Sequence, residues 1–174
     1  MNIMKNRLKK GIVTIDSACF KALSVPGSAA PAGSELKELI NKKFSRSFHI
    51  REVDTGSCGA CESEIISATN PIYDLQRFGV DFVASPRHAD ALLVTGPVSK
   101  NMELALKKTF DAMPGPKIVI TFGDCALNGG VFGNSYYTLG GVNKILPVSL
   151  HVPGCPPQPA ALISCLLNYL KSGK

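Results

Sequence analysis

From Ser47 onward the apolar positions fall into short regular blocks separated by turn residues. Phe48, Ile50 and Val53 have the spacing of a strand, closed by the turn Thr55-Gly56-Ser57. Cys61 to Ala68 predicts a helix that Asn70-Pro71 breaks, and Ile72 to Phe78 a further short helix ending at Gly79. Val80 to Val83 and Ala91 to Thr95 are β-type runs on either side of a Pro86 loop. Met102 to Met113 has helical spacing until Pro114-Gly115-Pro116 ends it. Ile118 to Phe122 is apolar without interruption, the pattern of a strand buried on both faces. Residues 123–143 are glycine-rich and read as irregular. Val148, Leu150 and Val152 predict a last strand, followed by the turn Pro153-Gly154-Cys155-Pro156-Pro157 and a helix from about Pro159 to Leu170.

The first part of the chain is different. Residues 1–33 show no sustained period, and Pro26 to Gly33 reads as a loop by composition. Ser34 is then expected to cap a short amphipathic helix through about Phe44, with Leu36, Leu39 and Ile40 on one side. The reading is a basic N-terminal arm over 1–46 with that short helix, then one α/β domain over 47–174. Strands alternating with helices imply a mainly parallel sheet, whose ligands sit beyond the carboxyl ends of the strands.

Composition narrows the classes. In a chain of 174 residues, 45% hydrophobic and 18% charged, a packed core is affordable and a disordered chain is excluded. No apolar run is long enough to span a bilayer, and no signal-peptide core is evident, so a cytoplasmic address is expected. The net charge of +6 lies wholly in residues 1–46, which hold nine of the 19 Lys and Arg and three of the 13 Asp and Glu. The rest of the chain is neutral. Such an arm suits phosphates, an anionic membrane surface or an acidic partner, or is simply solvated. Aromatic residues do not interleave with the basic ones and Trp is absent, so nucleic acid is not expected as a partner.

Four of the six cysteines share a context. Cys58 and Cys61 form a C-x-x-C in the turn after the first strand, Cys125 follows the strand ending at Phe122, and Cys155 follows the strand ending at Val152. In a parallel sheet those loops share one edge, and glycine or proline flanks each. Four thiolates converging there suit a cubane iron–sulfur cluster, with backbone N–H groups brought close by the glycines. Structural zinc and unliganded or redox-active cysteines remain open on spacing alone, although a lone C-x-x-C redox pair leaves Cys125 and Cys155 unexplained. Cys165, mid-helix among Leu162, Ile163 and Leu166, reads as a small buried apolar residue, and Cys19 as a free thiol.

The run Val53-Asp54-Thr55-Gly56-Ser57-Cys58-Gly59-Ala60-Cys61-Glu62-Ser63-Glu64-Ile65 resembles the N-terminal cluster motif of small subunits in energy-converting, membrane-associated nickel–iron hydrogenases, the formate hydrogenlyase type. Arg77-Phe78-Gly79, Ser85 to Gly96, Gly123-Asp124-Cys125-Ala126 with Gly129-Gly130, and Pro153 to Pro157 match later blocks in the same order. The resemblance covers about residues 47–171 and extends to the cluster-bearing B subunit of NADH:quinone oxidoreductase (complex I). It implies a flavodoxin-like core and one 4Fe–4S cluster, the one proximal to the active site of a larger catalytic subunit, with Cys58, Cys61, Cys125 and Cys155 at the ligand positions. This chain would then be a non-catalytic wire in an oxidoreductase complex.

The partners the resemblance implies are a nickel–iron hydrogenase large subunit, a ferredoxin-like iron–sulfur subunit and membrane-arm subunits, with the complex peripheral on the cytoplasmic face of the membrane. The complex I subunit has adjacent cysteines at the first position, where this chain has the spaced Cys58-Gly59-Ala60-Cys61; that favours hydrogenase over an equivalent subunit of a quinone or sulfur reductase. No residue is expected to act as catalytic acid or base. Glu62 and Glu64 are candidates for relaying protons, against a plain role at a helix N-terminus. Arg87 and His88 are placed in another strand-end loop, where Arg87 could offset cluster charge, His88 could couple protonation to reduction, or the pair could be interface polar groups, against simple solvation; His49 and His151, within strands, read as structural.

Overall fold

The fold is taken from a computed structural model, which describes residues 29–133 and 135–172. The readings made above for residues 1–28, Cys19 included, lie outside them. Five strands form one sheet: β1 (Phe48–Asp54), β2 (Val80–Phe82), β3 (Ala91–Thr95), β4 (Ile118–Phe122) and β5 (Leu150–Val152). Their spatial order is β2-β1-β3-β4-β5, and every neighbouring pair is parallel. This is the doubly wound, flavodoxin-like order, so the expected fold class holds. The order reverses between β1 and β3.

Parallel strands need crossovers, and here these lie on both faces of the sheet. Helices α1 (Ala29–Phe44), α2 (Ala60–Ala68) and α5 (Pro159–Lys171) cover one face. There Leu36, Ile40, Ile65, Leu162 and Ile163 meet Phe48, Ile50, Leu93, Ile120 and Phe122. On the other face Leu106 of α3 (Glu103–Ala112) packs with Val142 and Leu146 against Val53, Leu92, Val94 and Val119. Every residue of β3 and β4 is buried, as an uninterrupted apolar run in a two-sided sheet requires.

Four elements differ from the sequence reading, among them the short helix read from Ile72 to Phe78, which is a 3-10 turn over Leu75–Phe78 only. The first helix begins at Ala29 rather than after a Ser34 cap, so Ala29 to Gly33, read as loop, is helical. Pro31 is tolerated because the first turn has no intrahelical use for its missing N–H. The helix lies along α5, and Leu36 and Ile40 are fully buried. Burying two such side chains contributes about 1.5–3 kcal/mol each, more than the glycine at position 33 costs a helix. Residues 123–143 are not wholly irregular: a short helix α4 (Asp124–Asn128) follows β4 directly. Val148 lies just outside β5, which spans only Leu150–Val152.

Candidate functional site

The carboxyl ends of β1, β3, β4 and β5 surround a solvent-open cleft. Cys58, Cys61, Cys125 and Cys155 all line it, with Gly96 and Pro97 from the β3 end and Phe132 from the loop beyond Cys125. The sheet thus brings together the four cysteines singled out in the sequence. Cys58 and Cys155 are exposed, Cys125 is half-buried and Cys61 is buried.

Each loop is held by its own hydrogen bonds. The Asp54 carboxylate at the end of β1 accepts from the N–H groups of Gly56 and Ser57, both at 2.8 Å. The Ser57 hydroxyl donates to Glu62 Oε2 at 2.7 Å, tying the turn to the first turn of α2, and Gly59 N–H donates back to Ser57 Oγ at 3.1 Å. Further along the edge, Gly123 N–H donates to the Val152 carbonyl at 2.9 Å, and Asp124 N–H to the Gly154 carbonyl at 3.0 Å. The Cys125 and Cys155 loops are therefore fixed to one another as a continuation of the β4–β5 pairing. The Cys155-Pro156 peptide is cis.

Two glycines leave room for sulfur. A Cβ at Gly123 would lie 2.9 Å from Cys61 Sγ, and one at Gly130 would lie 2.7 Å from Cys125 Sγ. Both have positive φ, +93° and +48°, a backbone region that L residues rarely adopt. Clearance and conformation both call for glycine there.

The thiols also sense one another. Burial pushes the Cys61 thiol up to about 12, with further upward pressure from Glu62, Cys58, Cys125 and Cys155. Burial likewise raises Cys125, where a hydrogen bond from the Val131 backbone opposes it and the Cys155 thiol reinforces it. A metal centre supplies the positive charge that this donor set lacks, and loading it would release protons. Among the described residues no group of three or more His, Cys, Asp or Glu side chains is arranged to hold a single metal ion.

The other candidates separate. Glu62 is bound to Ser57, and its Oε1 is buried without a hydrogen-bond partner. Glu64 is half-buried on α2 and is not among the cleft-lining residues. Arg87 and His88 are not at the cysteine edge. Their loop follows β2 but runs back to the start of β3, where the His88 carbonyl stands 3.1 Å from His49 Nδ1 near the amino end of β1. Both are exposed there, so this placement does not support the cluster-facing roles considered for them. Asp90 holds that far end by a bidentate pair with Arg46, at 2.7 and 2.9 Å. Cys165 is buried and is disulfide-bonded rather than a plain apolar residue.

Two groups escaped the sequence reading. Burial first, then the Glu62 and Asp54 carboxylates, raise the carboxyl of Glu52 on β1. Asp124, between two cysteine loops, faces His151, whose imidazole is buried. A polar residue on an otherwise apolar strand, next to an acid beside a cysteine, was the available signal.

Comparison with known proteins bears on the same residues. The family described as NADH ubiquinone oxidoreductase, 20 Kd subunit, matches residues 58–169, from Cys58 to beyond Cys155. Formate hydrogenlyase subunit 7 of Escherichia coli (strain K12) is 41% identical over 141 residues, covering 81% of this chain; the chain spans 55% of that subunit's length. A probable membrane-bound hydrogenase subunit, mbhJ, of Pyrococcus furiosus is 48% identical over 122 residues, covering 70% of this chain and 73% of that one. Among solved structures, a chain of the membrane-bound sulfane sulfur reductase, an archaeal respiratory membrane complex, superposes with a TM-score of 0.65 at 31% identity, over 78% of this chain and 77% of that one.

Proposed function

Because the chain belongs to the NADH ubiquinone oxidoreductase 20 Kd subunit family, we propose that it is the electron-transfer subunit of a membrane-associated nickel–iron hydrogenase complex, carrying one 4Fe–4S cluster. The observation that carries this reading is the convergence of Cys58, Cys61, Cys125 and Cys155 on one cleft, with glycines where sulfur needs clearance. These four thiolates are the proposed ligands. The cluster supplies one-electron redox chemistry, and the chain's own residues do the rest. The β1, β4 and β5 loops hold the sulfurs, and burial of Cys61 keeps water from one side. Backbone N–H groups on the glycine-rich loops set the local polarity, one of the levers on cluster potential.

This chain is proposed to be non-catalytic, with turnover on a larger partner. The rim supports a covering subunit: Val131 is 88% exposed and Tyr136 91%, with Phe132 and Tyr137 about half exposed in the loop beside the cleft. Exposed apolar groups grouped so closely mark an interaction surface. A ferredoxin-like subunit and membrane-arm subunits complete the proposed assembly on the cytoplasmic face of the membrane. No helix among the described residues is long and apolar enough to cross a membrane, so attachment would come through those partners. The positive charge concentrated in residues 1–46 is assigned to docking on the membrane arm or on an acidic neighbour. Trimming residues 1–28 should release the complex from washed membranes at lower salt than the full chain; unchanged release would remove this role.

A second reading has its own support. The sulfane sulfur reductase chain that superposes well allows an equivalent subunit of a quinone or sulfur reductase. Anaerobic purification of the tagged chain from its native host, with iron and nickel quantified in the intact assembly, separates the two. Iron with stoichiometric nickel is the expected result. Iron without nickel would move the assignment to the reductase, and zinc without iron would overturn both.

A further inference from the structure

His151 is 4% exposed and sits on β5 directly opposite Thr121 of β4. Its two ring nitrogens face different partners. Nδ1 is 3.0 Å from the Thr121 hydroxyl, and Nε2 is 3.4 Å from Asp124 Oδ1. The same Oδ1 accepts the Gly154 N–H at 3.3 Å, while Asp124 N–H donates to the Gly154 carbonyl at 3.0 Å. Asp124 therefore bridges the backbone of the two loops that present Cys125 and Cys155, with the imidazole behind it.

One tautomer serves both contacts. An ionised carboxylate only accepts, so the nitrogen facing it must carry the proton. With Nε2 protonated, Nδ1 is free to accept from the Thr121 hydroxyl, which also lies 3.4 Å from the Leu150 carbonyl. Burial lowers the affinity of the ring for a second proton, while Asp124 opposes that effect. Thr121 thus orients the ring, and the ring's N–H dipole partly offsets a negative charge immediately beside a cluster ligand.

We propose that His151 is a positioning residue of the cleft: its Nε2–H steadies the Asp124 carboxylate between the Cys125 and Cys155 loops and thereby sets the reduction potential of the group they hold. This inference rests on the cluster assignment above. Thr121, His151 and Asp124 form one unit reaching from the buried strands to the cleft rim.

The test is a redox titration of the anaerobically purified complex, followed by the electron paramagnetic resonance signal of this chain's cluster. In His151→Leu the Asp124 charge loses its compensating dipole and opposes reduction more strongly. The reduced-to-oxidised ratio at a fixed ambient potential should fall by about three- to tenfold, tenfold being about 59 mV for one electron. His151→Gln, which keeps an N–H donor, should restore the parent ratio to within about twofold. In an Asp124→Asn background the leucine change should have no further effect, because the charge it acts through is gone.

A parent-like potential in His151→Leu overturns the proposal, as do equal shifts in the leucine and glutamine variants, which would indicate packing alone. Should His151→Leu fail to retain its cluster, Thr121→Val decides. A shift in the same direction supports the proposal, and an unchanged potential defeats it. A parent complex without the cluster signal would instead remove the assignment on which the inference rests.

Discussion

Cys155→Ser should leave the complex without the cluster signal of this chain and lower its turnover by about a hundredfold or more. Changes to groups that merely support metal ligands already cost about 10–100-fold, so loss of a proposed ligand sets a higher floor. Cys155 is the instructive choice because it is exposed on the cleft rim and not part of the core. Its replacement removes little buried surface, so the fold should persist. The checks are iron content, the low-temperature paramagnetic spectrum and electron flow through the assembled complex. A Cys155→Ser complex with parent iron, spectrum and turnover would strike Cys155 from the ligand set.

Gly123→Ala tests the space around the sulfurs instead of the sulfurs themselves. The added Cβ would come within 2.9 Å of Cys61 Sγ on a backbone with φ of +93°, so both the side chain and the local conformation are wrong. Overpacking of this kind costs about 1–3 kcal/mol, and here it falls on a proposed ligand. The expected outcome is a chain that enters the complex with most of its cluster missing. Gly115→Ala is the control, because a Cβ there meets nothing within 4 Å. Iron per chain in the two variants, alongside their thermal unfolding, is the measurement. Equal iron in both would mean that the clearance at Gly123 has no bearing on the cleft.

The strongly patterned parts of the chain were legible before any coordinates. Ile118 to Phe122 admits little besides a two-sided buried strand, and the cysteine spacing placed all four thiols at strand ends without knowledge of strand order. What stayed hidden depends on where a loop goes after it leaves a strand. Arg87 and His88 follow β2, but the connection is long enough to return to the opposite edge, and linear position does not reveal the return. The start of α1 was obscured for a different reason. Pro31 and Gly33 argue locally against a helix, yet burial of Leu36 and Ile40 outweighs them. Asp124 and His151 stand 27 residues apart in sequence and meet only because β4 and β5 pair in register.

That pairing has one more consequence. The cleft draws its thiols from the first strand and from the last two, so the distance along the chain from Cys58 to Cys155 is close to a hundred residues. A cluster gripping all of them would act as a cross-link over most of the domain. In the chain-entropy picture, closing a loop of that size disfavours the unfolded ensemble by about 4.7 kcal/mol. Loading the cluster would then add stability to a fold that its buried core already holds. A nascent chain can complete its ligand set only once β5 has docked, and a matured chain stripped of iron should be the one that proteases find first.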